Sequence, residues 1–120
     1  MKIRYKDESV FRSCLWNEWD ATLIDVVCWT YKLFVSYGKP FVATCGWRAK
    51  RHSNDLHGEV PMRALDARSK VFDQPERIAA EINHNWQYDK ARPEMLVCVY
   101  HDTGLGLHYH LQVHPNTYLI

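Results

Sequence analysis

From Asn17 to Tyr37 the apolar residues Leu23, Val26, Val27, Tyr31, Phe34 and Val35 recur at steps of three and four. That spacing lays side chains along one stripe of a helix, and Gly38-Lys39-Pro40 supplies its stop. Phe41 to Trp47 is rich in β-branched and aromatic residues and predicts a strand. A polar stretch from Arg48 to Pro61 follows, too polar to be core, and Arg63 to Arg68 then reads as a short strand returning to the sheet. Asp73 or Gln74 is placed to cap a second helix with Pro75 in its first turn. Ile78, Ala79, Ile82 and Trp86 form that helix's apolar stripe. Met95 to Tyr100 and Leu107 to Val113 predict two strands joined through Asp102-Thr103-Gly104-Leu105-Gly106, a hairpin.

The order helix, strand, loop, strand, helix, hairpin predicts an α+β fold with a mainly antiparallel sheet and two packed helices. The 120 residues suffice for one domain, with a helical part over 1–38 and a core over 41–114. No Pro/Gly linker, repeat or low-complexity stretch divides it.

The last predicted strand carries the most unusual pattern. Residues two apart share a face, so His108, His110, Gln112 and His114 lie on one side and Leu107, Tyr109, Leu111 and Val113 on the other. Imidazole is a common metal ligand, and a strand aims it well; a solvated face that happens to carry histidines is the alternative. His57 and Asp66 bracket the segment before that strand's neighbour. Asp66 sits between Leu65 and Ala67, where a carboxylate needs a cation or several donors. An ion pair with Arg63 or Arg68 would meet that need, and so would a metal. Two histidines and one carboxylate leave a fourth position open, the ligand count of a catalytic zinc.

In order along the chain these pieces are Thr44-Cys45-Gly46-Trp47-Arg48, His57, Asp66 and His108-Tyr109-His110. Together they resemble the M15-type zinc peptidases, the D-alanyl-D-alanine carboxypeptidase and Hedgehog-like metallopeptidase group, and in particular its short phage-borne members. The resemblance spans residues 41 to 114. It implies the Hedgehog/DD-peptidase-like fold, with Zn²⁺ held by His57, Asp66 and His110. His108 would be the catalytic base beside the metal-bound water, and Arg48 the substrate-binding guanidinium for a carboxylate. The implied reaction is hydrolysis of an amide bond in a peptidoglycan stem peptide; a non-catalytic virion, tail or peptide-binding domain on the same fold is the alternative.

Two departures from the family pattern stand out. Asp66 follows His57 by nine residues, where the family usually has seven, and Pro61 lies in the lengthened loop. His52 therefore competes as first ligand. Leu107 stands where members with an ExxH motif carry a Glu, which leaves His108 as base, with Glu59 as a substitute. His101 and Asp102 read as a solvated pair at the hairpin turn with a possible supporting role, Gln112 as a donor to ligand or substrate, and His84 as surface. His114 reads as rim, and Trp86 and Tyr88 as core or cleft wall.

Composition narrows the function classes. Fifteen Lys+Arg against fourteen Asp+Glu give a net charge of +1, no strong draw to nucleic acid or anionic membrane. No apolar run approaches the roughly 20 residues of a membrane span. The charged first eight residues do not resemble a signal peptide. That predicts synthesis in a cytoplasm, with release by phage lysis or carriage in a virion. Cys14, Cys28, Cys45 and Cys98 show no short metal-type spacing and read as buried, reduced thiols.

Overall fold

The computed structural model describes residues 1–120 as one α+β domain. In chain order the elements are β1 (Arg4–Tyr5), α1 (Glu8–Leu15), α2 (Ala21–Ser36), β2 (Val42–Cys45), a 3-10 turn (Leu56–Gly58), β3 (Ala64–Arg68), α3 (Pro75–Asn85), β4 (Trp86–Gln87), β5 (Cys98–Asp102), β6 (Leu107–Gln112) and β7 (Tyr118–Leu119). The main sheet runs β1-β2-β3-β6-β5, with β4 and β7 forming a separate two-stranded pair. Only β1 pairs parallel, along β2; the other ladders of the main sheet are antiparallel. No helix is long and apolar enough to cross a membrane.

The helices number three rather than two. Asp7 caps α1 by accepting from the Val10 N–H at 2.9 Å, and Glu8 pairs with Arg12 one turn on. Asp20 caps α2 through the Thr22 N–H, so that helix begins four residues later than the apolar pattern suggested. It ends where Gly38 takes a φ of 69°. There the Lys39 N–H reaches the Phe34 carbonyl and the Gly38 N–H the Val35 carbonyl, a closure that favours glycine. Thr30 is buried in the α2 stripe and Val35 is exposed, because the buried stripe follows 3.6 residues per turn and leaves Val35 on the outer side. Gln74 occupies the cap of α3 but makes no side-chain cap bond. Trp86 lies beyond that helix in β4, where its ring meets Trp29 edge-on.

The core sits between the helices and one face of the sheet. Phe34 of α2 is its hub, with ring centres 5.1 Å from Phe41, 4.8 Å from Phe72 and 6.0 Å from Tyr109. Leu65 and Ala67 of β3 and Tyr109 and Leu111 of β6 point into it, all fully buried. Leu107 shares their face but lies past the edge of the helices and is exposed. The alternation of β3 and β6 therefore leaves Asp66, Arg68, His108, His110 and Gln112 on the opposite face. The loop between β2 and β3 lies over that face.

Deleting the hub ring should expose how far the site depends on this packing. Phe34→Ala is expected to cost about 3–5 kcal/mol, measured as a lowered urea midpoint with an unchanged slope.

Candidate metal centre

The sheet register assembles the site. Asp66 of β3 stands opposite His110 of β6, and Arg68 stands opposite His108. Cys45 of β2 pairs with Asp66 from the other side, after an irregularity in the ladder. His57 comes from the loop, and that loop is tightly fixed. Its ends are joined by the Arg48 N–H to the His57 carbonyl. Asp55, only 5% exposed, accepts from the Arg48 guanidinium, the Arg51 N–H and the His57 N–H. Gly58 closes the turn where a side chain would strike the Lys50 backbone, 2.8 Å from the Cβ position. This polar stretch thus buries Asp55 and His57, because Asp55 finds its donors within the loop and His57 finds its partners on Gly46, Asp66 and His110.

Three imidazoles and one carboxylate converge. His57 Nε2 lies 3.1 Å from Asp66 Oδ1, His110 Nδ1 lies 2.9 Å from the same oxygen, and the two ring nitrogens are 3.2 Å apart. His108 Nε2 approaches the other oxygen, Oδ2, at 3.4 Å. Neither Arg63 nor Arg68 pairs with Asp66: Arg63 bonds the Val113 carbonyl, and the carboxylate meets only histidines.

The outward nitrogen of each ring fixes where its proton sits. His57 Nδ1 is 2.8 Å from the Gly46 carbonyl and His108 Nδ1 is 3.0 Å from the Gly106 carbonyl. A carbonyl only accepts, so both Nδ1 atoms carry hydrogen. Gln112 donates its Nε2 to the Leu96 carbonyl, which orients its Oε1 toward His110 Nε2 at 3.1 Å and makes that nitrogen a donor. The neutral rings therefore turn three lone pairs toward an anionic carboxylate. Such a cluster calls for a cation, either protons or a metal.

The ionisation behaviour agrees. Burial pulls the His57 imidazole down, but its hydrogen bonds to Asp66 and Cys45 outweigh that and hold it up at about 10. Burial would raise Asp66, yet the bonds from His110 and His57 hold its carboxyl far below the usual carboxylate range. His101, opposite His108 across the hairpin, is lowered by burial and by the neighbouring His108 and His110.

Cys45, His57 and Asp66 also form a group whose ligand atoms lie within 4.8 Å of one another and that could hold a metal ion. Within it Cys45 Sγ approaches His57 at Nδ1, 3.8 Å away, the nitrogen already committed to Gly46. The thiol thus stands behind the imidazole, whereas Asp66 and His110 meet its free lone pair. All four cysteines are free, but only Cys14 and Cys98 are buried; Cys28 and Cys45 are half-buried.

The remaining candidates separate clearly. His52 is exposed on the loop, and Glu59 is held by Lys50 Nζ at 2.8 Å. His84 is exposed on α3. His114 lies past β6, accepting from the Asn116 N–H and packing on Tyr88, away from the cluster. Trp86 and Tyr88 are buried beside the small sheet and wall no cleft at the site. Asp102 accepts from the Gly104 and Gly106 N–H groups and so shapes the hairpin turn. His101, by contrast, is no solvated turn residue. Its ring stands 4.8 Å from His108 and 5.6 Å from His110. Counting pairs outward from the turn would have placed it there. The supporting acceptors Gly46 and Gly106 are backbone groups that residue type does not reveal.

The chain matches no protein-family model, no curated protein and no solved structure.

Two consequences are measurable. Gln112→Leu removes the acceptor that fixes the His110 ring, and should weaken metal binding about 10- to 100-fold, read by competition with a chromophoric chelator. Asp55→Ala leaves three donors without their acceptor and should cost about 2–3 kcal/mol near neutral pH. Burial would raise the Asp55 carboxyl, but its bonds from Arg51, Arg48 and His57 lower it to about 2. A depressed carboxyl contributes stability above its unfolded value, about 4, and loses it as pH falls toward the folded one. Urea midpoints of variant and wild type should therefore converge as pH falls from about 4 toward 2.

Proposed function

We propose that the chain is a zinc-dependent peptidase of M15 type, with the Hedgehog/DD-peptidase-like fold, hydrolysing an amide bond in a peptidoglycan stem peptide. The observation that carries this reading is the convergence of His57 Nε2, Asp66 Oδ1 and His110 Nδ1, mutually 2.9 to 3.2 Å apart, with every outward ring nitrogen bonded to an acceptor. A tetrahedral ion with bonds of about 2.0–2.1 Å sets its ligand atoms about 3.3 Å apart, and zinc takes N and O ligands in that geometry. The resident metal would supply a water with its pKa brought to about 7 and a Lewis acid for the scissile carbonyl.

The chain's own residues divide the remaining work. His108, with its Nδ1–H held by Gly106, presents a free Nε2 lone pair beside Asp66 and can take a proton there as general base. Glu59 cannot substitute while it pairs with Lys50, and Asp55 and Asp66 are the only carboxylates bordering the cavity over the cluster. Gln112 and Gly46 hold the ligand rings in register. Arg48 borders the same cavity with one side of its fork on Asp55, and its outward side can meet a substrate carboxylate. Reaching a cell wall would follow host lysis or carriage in a virion.

A second reading, a metal-bearing domain without turnover, is favoured by Leu107, which stands exposed where a glutamate base would be expected. Elemental analysis and muropeptide digestion separate the two. About one zinc per chain should be found in wild type and none in His110→Ala. His108→Ala should keep its zinc and lose about 10²- to 10⁴-fold in muropeptide hydrolysis. Zinc-loaded wild type that digests no muropeptide would establish the second reading, and wild type without zinc would remove both.

A further inference from the structure

The converging donors stand on the divide between two cavities. One, about 250 Å³, lies under the β2–β3 loop and is bordered by His52, Asn54, Val99 and His101. The other, about 690 Å³, extends past the end of β3 to Leu105 at the hairpin tip. Arg48, Asp66 and His108 border both. The cluster is therefore bordered by a cavity on each of two sides.

The larger cavity is lined by Lys6, Arg48, Arg51, Arg68 and Lys70. Arg48 is paired with Asp55, but the other four have no carboxylate within ion-pair distance. Against them stand only Asp66, which is engaged by histidines, and exposed Asp73 at the rim. In a chain of net charge +1 this is a local concentration of positive charge, and a cleft lined by one sign focuses its field on whatever enters. Arg68 is the closest of the four to the chemistry. It follows Asp66 by two residues on the same face of β3 and stands opposite His108. That puts it about 7 Å along the strand from the carboxylate, the same repeat that an extended peptide offers between side chains on one face.

We propose that an extended acidic peptide lies through both cavities. Its cleaved bond is internal, and its side-chain carboxylates fall one to three residues from that bond on the Arg68 and Lys70 side. This deepens the peptidase reading and rests on it for the cleavage, while the recognition stands on the two cavities and the four unpaired cations. It makes the chain endo-acting, and it adds Arg68 and its neighbours to Arg48, half engaged by Asp55, as groups that recognise substrate anions.

Binding tests the proposal independently of turnover. The probes are fluorescein-labelled hexapeptides with an amidated C-terminus, carrying two glutamates or two glutamines, followed by anisotropy at low and high salt. The glutamate peptide should bind about tenfold tighter than its glutamine twin at low salt. High salt should erase the difference, as should Arg68→Gln/Lys70→Gln, with zinc content unchanged. Lys39→Gln/Arg77→Gln, beside a separate surface groove, should leave it intact. Equal binding of the two peptides would overturn the proposal. So would a requirement for a free C-terminal carboxylate, or tighter binding of a single-stranded oligonucleotide of equal charge. If the acidic peptide binds as expected but neither it nor any muropeptide is cleaved, the peptidase reading fails and the recognition surface stands.

Discussion

The structure turns on one buried carboxylate. Asp66 is placed in the middle strand of the sheet, 9% exposed, with Leu65 and Ala67 locked into the core on either side. A carboxylate so placed loses most of its hydration and must be compensated by donors or a cation close at hand. No arginine serves it. Three imidazoles do, one from a loop and two from the neighbouring strand.

The compensation works because the other face of the same strands is rigid. Tyr109 lies between His108 and His110 in sequence, is fully buried, and donates its hydroxyl to the Pro75 carbonyl at 2.7 Å. Its ring packs on Phe34, Phe72 and Tyr100. In a pleated strand, fixing one side chain inward fixes its two neighbours outward. The aromatic core therefore sets the direction of both histidines, and the loop needs only to deliver His57. Asp55 accomplishes that by tying three donors into one turn.

What was legible in the sequence follows from what local pattern can carry. The alternation of β6 is a period-two signal on six consecutive residues, so the face shared by His108, His110 and Gln112 could be read directly. The same holds for Asp66 between two apolar neighbours. Elements too short to show a period were lost: α1 has eight residues, and β1, β4 and β7 have two each. Long-range pairing was lost too. His101 reads as turn polarity until the hairpin register sets it against His108, and Cys45 reads as an apolar thiol until β2 is laid beside Asp66. Loop burial was hidden for a different reason. Asp55 looks like solvent until Arg48, Arg51 and His57 are seen to be its donors.

His108 and His110 have matching side-chain exposures, 14% and 13%, and sit one pleat apart on one strand, so exposure cannot assign their roles. Their partners can. His110 turns Nδ1 toward the oxygen that also meets His57, and its far nitrogen is held by Gln112, itself anchored to Leu96. Gln112 is 8% exposed and both ends of its amide are engaged, the support that would suit a ring holding a metal. His108 faces the opposite carboxylate oxygen at the longer distance of 3.4 Å, borders both cavities, and takes its support from Gly106 at the rim of the hairpin turn. The proposed base would exchange its proton with what enters the cleft, and His108, farther from the carboxylate and bordering both cavities, is the better placed of the two to do so. The two identical residues thus differ in which edge of the carboxylate each one meets, and the division of labour proposed for them follows that difference.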